Sequence, residues 1–317
     1  MKRIWWIVVI LALLALPAMA FAQDQETTEA AYEALLGAEP LYGVVEEVVE
    51  IDRDGQTMMG TLALPDGAEG PFPIVLIFHG FTGRRDGLPV LGGEPVEGMN
   101  TRTARALAGQ GIASLRIDFI GSGESDGDFA DTTFTSQIND GIAALDYIES
   151  LDNIDASRIG VLGLSMGGMI ASVVAARDDR VDTAVLWSAP ASPVYDTPMM
   201  LGNANFAAGL EGGVTVTLPS GEVTLNQPFF DDHFNVDPVA EISRYAGPLM
   251  VVAGLRDTDG VVPMSYMARL FLNYHDGPEA LVEADGDHFL NALDPADGAA
   301  TLDDVITWSL AWLKQTL

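Results

Sequence analysis

The chain has 317 residues, 48% hydrophobic and 19% charged, a composition that supports a large core and excludes whole-chain disorder. Its 46 acids against 15 bases leave a net charge of −31, so nucleic acid and anionic membrane surfaces are not expected as partners. Cysteine is absent, which excludes disulfides, thiolate metal sites and a cysteine nucleophile.

Lys2 and Arg3 precede an unbroken apolar run of 13 residues, Ile4 to Leu16. Pro17 ends the run, and Ala18-Met19-Ala20 or Ala20-Phe21-Ala22 follows with small-x-small spacing. This is the pattern of a cleavable export signal over residues 1–22, the run being short for a spanning helix of about 20 residues; an uncleaved anchor, with the apolar stretch extended to Ala22, is the other reading. The mature protein is therefore expected to be secreted or periplasmic. Residues 23–43 read as a flexible or weakly helical lead-in, and 44–317 as one α/β domain.

Val44–Ile51 and Met58–Leu64 are β-rich runs on either side of Asp54-Gly55, a hairpin signal. Ile74–Phe78 is continuously apolar, as in a strand buried on both faces. A helix is expected over Asn100–Ala108, a strand over Ile112–Ile117, and a helix over Ser136–Ser150, where Ile138, Ile142, Leu145 and Ile148 recur at helical spacing. Strand Arg158–Leu162, helix Met166–Arg177 and strand Val181–Trp187 follow. Beyond Ala189–Gly247 come strand Leu249–Ala253, helix Pro263–Asn273, strand Ala280–Ala284 and a closing helix over Leu302–Leu313. Strands alternating with helices predict a mostly parallel sheet covered on both faces. Ala189–Gly247 interrupts that rhythm and reads as a long loop without regular helices. It contains a β-hairpin, Val214–Leu218 with Glu222–Leu225, and a segment of this kind acts as a lid or binding element.

Three separated points carry chemistry. Gly163-Leu164-Ser165-Met166-Gly167-Gly168 has the G-x-S-x-G spacing of a nucleophile elbow, in which serine sits on a sharp strand-to-helix turn and flanking glycines let backbones pass closely. The loop after Leu249–Ala253 carries two acids, Asp257 and Asp259, in the place where a parallel sheet presents ligand-facing groups. Asp257 is preferred as the acid, three residues after Gly254. Of the four histidines, His79, His233, His275 and His288, His288 follows the last predicted strand. The order Ser165, Asp257, His288 is that of α/β-hydrolases. Ser165 would attack a carbonyl, His288 would take its proton, and Asp257 would hold the imidazole tautomer. The oxyanion donors would be the amides of Met166, next to the nucleophile, and Phe81, in the loop after the third strand. His79 is then a residue that packs this loop, and His275 a helix-end residue.

Phe78-His79-Gly80-Phe81-Thr82-Gly83, the stretch Gly111–Phe119 continued by Gly121-Ser122-Gly123-Glu124-Ser125-Asp126-Gly127, and the elbow itself give the chain its resemblance to the α/β-hydrolase superfamily. Within it the chain most resembles the cinnamoyl and feruloyl esterase group, over roughly residues 44–315. The resemblance implies an eight-stranded, mostly parallel sheet with a small lid insertion at about 189–247. It also implies a serine carboxylesterase that acts on esters of small aromatic (hydroxycinnamate-like) or short-chain acids, with a small-molecule ester as partner. No metal or organic cofactor is expected, since neither an H-E-x-x-H nor a P-loop motif appears. Counting back from Pro263 on the group's pattern points to Asp259 rather than Asp257. Phe206, Phe229, Phe230 and Phe234 of the insertion are candidates to wall an apolar acyl site. Two other classes stay open: a peptidase related to the prolyl oligopeptidases, and a non-catalytic α/β-hydrolase used for binding.

Overall fold

The computed structural model describes residues 28–257 and 264–317. The expected export signal and the first residues of the lead-in lie outside the described residues. From residue 28 the lead-in is helical (α1, residues 28–35). It is anchored by Tyr32, whose ring stacks on Trp308 at 4.0 Å.

The chain then runs through β1 (Gly43–Arg53), β2 (Gln56–Asp66), β3 (Phe72–Phe78), α2 (Met99–Gly109), β4 (Ala113–Ile117), α3 (Phe134–Glu149), β5 (Ile154–Leu164), α4 (Met166–Arg177) and β6 (Val181–Trp187). The insertion follows, with α5 (Pro193–Leu201), α6 (Asn203–Gly212), β7 (Val214–Leu218), β8 (Gly221–Leu225), α7 (Gln227–Asp232) and α8 (Pro238–Ile242). The core resumes with β9 (Leu249–Gly254), α9 (Met264–Tyr274), β10 (Glu279–Ala284) and α10 (Gly298–Thr316).

Eight strands form one sheet in the order β1-β2-β4-β3-β5-β6-β9-β10. β2 is antiparallel to both neighbours, and the pairings from β4 to β10 are parallel. The β1–β2 turn places Asp54 and Gly55 at φ 54° and 85°, the positive values that a tight hairpin turn twisting with its strands requires. Side-chain alternation divides the core in two. Ile74, Leu76 and Phe78 of β3 pack with α3, α4 and α9 on one face. Val75 and Ile77 pack with α2 and α10 on the other. Two of the buried indoles find an acceptor, Trp187 on Ser309 Oγ at 3.0 Å and Trp312 on Thr183 Oγ1 at 3.1 Å, which offsets the cost of burying an N–H. This is the α/β-hydrolase fold.

The β7–β8 hairpin of the insertion is present, but the expectation of a loop without regular helices is corrected, since α5–α8 occupy much of it. Proline opens three of these helices, in the first turn of α5, α7 and α8, where its missing N–H costs nothing. Gly202, at φ 87°, both ends α5 and starts α6.

Candidate active site

Ser165 stands between β5 and α4 with φ 55° and ψ −125°, a backbone conformation that a side-chain-bearing residue adopts only when its surroundings enforce it. Its amide donates to the Trp187 carbonyl at 2.8 Å, and its own carbonyl accepts from Met169 at 3.1 Å. The flanking glycines are required by contact. A Cβ on Gly163 would lie 2.2 Å from the Gly167 carbonyl oxygen, and one on Gly167 would lie 2.5 Å from the carbonyl oxygens of both Phe78 and His79. The elbow is thus wedged against the end of β3.

The loops after β9 and β10 are zipped together. Leu255 N–H donates to Ala284 O at 2.9 Å and Arg256 N–H to Gly286 O at 2.8 Å. Within the second loop Asp287 Oδ1 accepts from the amides of Phe289 and Asn291 at 2.9 and 2.8 Å, while Asn291 Nδ2 donates to Asp285 O at 3.0 Å. Leu290 and Asn291 take positive φ, 54° and 61°. This bracing brings His288 between two partners: its Nδ1 lies 2.7 Å from Asp257 Oδ2 and its Nε2 lies 2.9 Å from Ser165 Oγ. With Nδ1–H donating to the buried carboxylate, Nε2 presents its lone pair to the serine hydroxyl. Asp259 lies outside the described residues. The other histidines stand elsewhere: His275 contacts Glu279 Oε1 at 3.1 Å and Gly247 O at 2.9 Å, His233 is in the insertion, and His79 is under the loop after β3.

That loop carries Phe81. Its amide has no backbone acceptor among the described residues, and Met166, the first residue of α4, occupies a position with no intrahelical acceptor. Both residues line the same cavity as Ser165 and His288. His79 holds the loop from below. Its Nδ1–H donates to Gly80 O at 2.8 Å, Nε2 accepts from Phe119 N–H at 3.3 Å, and burial drives its pKa down so that the ring is neutral. Asp118 holds it from the side. Its carboxylate accepts from the Arg85 amide at 2.6 Å and the Glu124 amide at 3.0 Å, and it pairs with the Arg85 guanidinium. Gly123 passes so close that a Cβ there would sit 2.2 Å from this carboxylate. The Asp118–Gly127 stretch is therefore a clamp on the loop bearing Phe81.

The cavity encloses about 480 Å3 including its mouth, and its wall is mainly apolar, with Phe134, Met169, Met200 and Met264 among its residues. Of the four phenylalanines proposed from the insertion, Phe229 lines it. The other three are corrected. Phe230 is fully buried beneath the lid and Phe234 is 66% exposed, while Phe206 packs edge-on against Phe230 and His233 at 5.7 and 5.2 Å. Phe206 and Phe230 hold the insertion together. His233 organises this cluster: its Nδ1–H donates to Phe229 O at 2.8 Å and its Nε2 accepts from Thr197 Oγ1 at 2.7 Å. Burial, partly offset by the bond to Phe229 O, lowers its pKa to about 4. Two polar residues of α5, Asp196 and Thr197, also face the cavity. No sequence motif marked them. Their only signal was position, in an insertion segment expected to cover the site.

The family model of the X-Pro dipeptidyl-peptidases (S15 family) matches residues 54–234 of this chain. The chain belongs to the S15 family. This S15 member is also similar to Esterase EstD of Thermotoga maritima, at 26% identity over 74% of the chain and 57% of the relative. It is similar to Putative hydrolase YtaP of Bacillus subtilis at 32% identity, over 38% of the chain and 44% of the relative. The match thus spans less than two-thirds of the length of either relative. Among solved structures, Est1E from Butyrivibrio proteoclasticus with ferulic acid bound is similar in fold, with a TM-score of 0.63 and 21% identity over 84% of this S15 chain and 99% of that one.

Proposed function

We propose that the protein is an exported serine hydrolase of carboxylic esters, acting on esters of small aromatic, hydroxycinnamate-like, or short-chain acids. The observation that carries this reading is the continuous hydrogen-bond chain from Asp257 through His288 to Ser165, set beside the amides of Phe81 and Met166. His288 Nε2 takes the Ser165 proton as Oγ attacks the ester carbonyl. The two amides stabilise the oxyanion of the tetrahedral intermediate. His288 then gives the proton to the departing alcohol, leaving an acyl-Ser165 ester. Water attacks that ester by the same route in reverse, releasing the acid and restoring the hydroxyl. Asp257 keeps Nδ1 protonated throughout and stabilises the imidazolium. The apolar cavity, walled in part by Phe229, takes the acyl group.

The S15 match favours a second reading, peptide-bond hydrolysis by the same residues. Both are tested by one set of assays. Methyl ferulate, p-nitrophenyl esters of increasing chain length and an X-Pro p-nitroanilide are assayed side by side, with a fluorophosphonate label mapped by mass spectrometry. Ester turnover with label on Ser165 supports the first reading. Dominant anilide cleavage supports the second. Folded protein that takes no label is a binding protein, contrary to both.

A further inference from the structure

Among the buried acids of the described residues, Asp196 stands apart. Asp118 pairs with Arg85, Asp140 with Arg53, Glu241 with Arg177, Glu283 with Arg269 and Asp257 with His288, and Asp232 accepts from the amide and hydroxyl of Thr135. Asp196 is 5% exposed, and its carboxylate accepts one bond, from the Ser192 amide to Oδ2 at 3.0 Å. Its Oδ1 is buried with no partner among the described residues. Leaving a carboxylate oxygen buried and unpaired is costly, and the bond to the α5 N-cap amide uses only Oδ2. Asp196 lines the cavity that also contains Ser165 and His288, so the missing partner has a place to come from. Burial pushes this carboxyl up to about 7, the behaviour of an acid with no cation beside it among the described residues. The neighbouring hydroxyl, of Thr197, is already held by His233 at 2.7 Å.

We infer that Asp196 is the specificity-determining residue of the acyl pocket and accepts a hydrogen bond from an O–H or N–H group carried by the substrate's acyl portion. This deepens the ester-hydrolase reading and rests on it. In an otherwise apolar pocket, an acyl group with such a donor restores the bond that Oδ1 lacks. An acyl group of the same shape without one leaves the oxygen stranded, so discrimination is strong. The donor could be a hydroxyl or an ammonium group. The two differ in what they need from residue 196, because a hydroxyl requires only an acceptor, whereas an ammonium requires the charge.

The test uses p-nitrophenyl esters of 3-phenylpropanoic acid with a para substituent: hydroxyl, aminomethyl, methoxy or hydrogen. The wild type is compared with Asp196→Asn and Asp196→Leu. The expected wild-type result is a kcat/KM for one donor-bearing ester at least about tenfold above that of the methoxy ester. That ratio falls to about one in Asp196→Leu. In Asp196→Asn a hydroxyl preference survives in part, whereas an ammonium preference is lost. Equal kcat/KM for all four esters in the wild type, or a donor preference that persists in Asp196→Leu, overturns the inference. If the wild type hydrolyses none of them, the ester reading fails by itself. Calorimetric binding of the four free acids to wild type and Asp196→Leu then decides the role of Asp196, with the same ratios expected in Kd and equal affinities overturning it.

Discussion

The carboxylate of Asp118 accepts the backbone amide of Arg85 at 2.6 Å across 33 positions of sequence, and the same carboxylate pairs with the Arg85 side chain. One acid at the end of β4 thereby fixes both the backbone and the side chain of the loop that follows Phe81. The clamp has no chemistry of its own; it braces the loop that carries Phe81, the proposed oxyanion donor.

Asp118→Ala should consequently lose on two counts. Removing one member of a buried pair strands the other, a cost of about 3–5 kcal/mol, which urea unfolding would register as a lower midpoint. The loosened loop should lower kcat for ester hydrolysis more than it raises KM, because an oxyanion donor acts chiefly in the transition state. A variant with wild-type kcat would separate the clamp from the reaction.

Gly167→Ala tests the wedge under the elbow. The new methyl would meet two carbonyl oxygens at 2.5 Å, and neither the end of β3 nor the start of α4 can yield without moving Ser165. We expect a loss of about 2 kcal/mol or more together with loss of activity. Gly212→Ala at the end of α6, where the added methyl meets nothing within 4 Å, should leave both nearly unchanged. Comparable thermal stability of the two variants would contradict the packing argument.

The pH dependence of stability carries the signature of Asp196. Burial raises its pKa to about 7 in the folded state, against about 3.9 when unfolded. Between these values the folded protein binds more protons than the unfolded one, so this group's contribution to stability falls as pH rises from about 4 to 7. The penalty at pH 8 is on the order of a few kcal/mol. Asp196→Asn should therefore melt several degrees above the wild type at pH 8, and the gap should close near pH 4. A gap independent of pH would mean that the carboxyl is not the strained group. Stability given up at a site that faces the nucleophile is the pattern expected where function sets the residue.

The sequence was informative where a local rule leaves no alternative. Consecutive apolar residues marked β3 as buried on both faces, and the glycines around Ser165 marked a turn that the structure holds at φ 55°. The placement of His288 after the last strand and of an acid after β9 followed from where parallel sheets end. The insertion was harder to read because its punctuation has two meanings. Pro193, Pro228 and Pro238 lie in the segment that reads as a loop, yet each sits in the first turn of a helix, where proline is equally at home. The phenylalanines read as a group because they share chemistry, but only packing separates Phe229, on the cavity wall, from Phe230, buried behind it. Asp196 belongs to no motif, and its importance lies in the partner it lacks, a property visible only in three dimensions.

The central claim is that Ser165 and His288 act as one unit, and the most direct measurement is a double-mutant comparison of kcat/KM for a p-nitrophenyl ester. Ser165→Ala, His288→Ala and the combined variant should each lose several orders of magnitude, and the double variant should be no worse than the more damaged single one, as for groups that share one step. Near-wild-type turnover in either single variant, or losses that multiply in the double variant, would contradict the account.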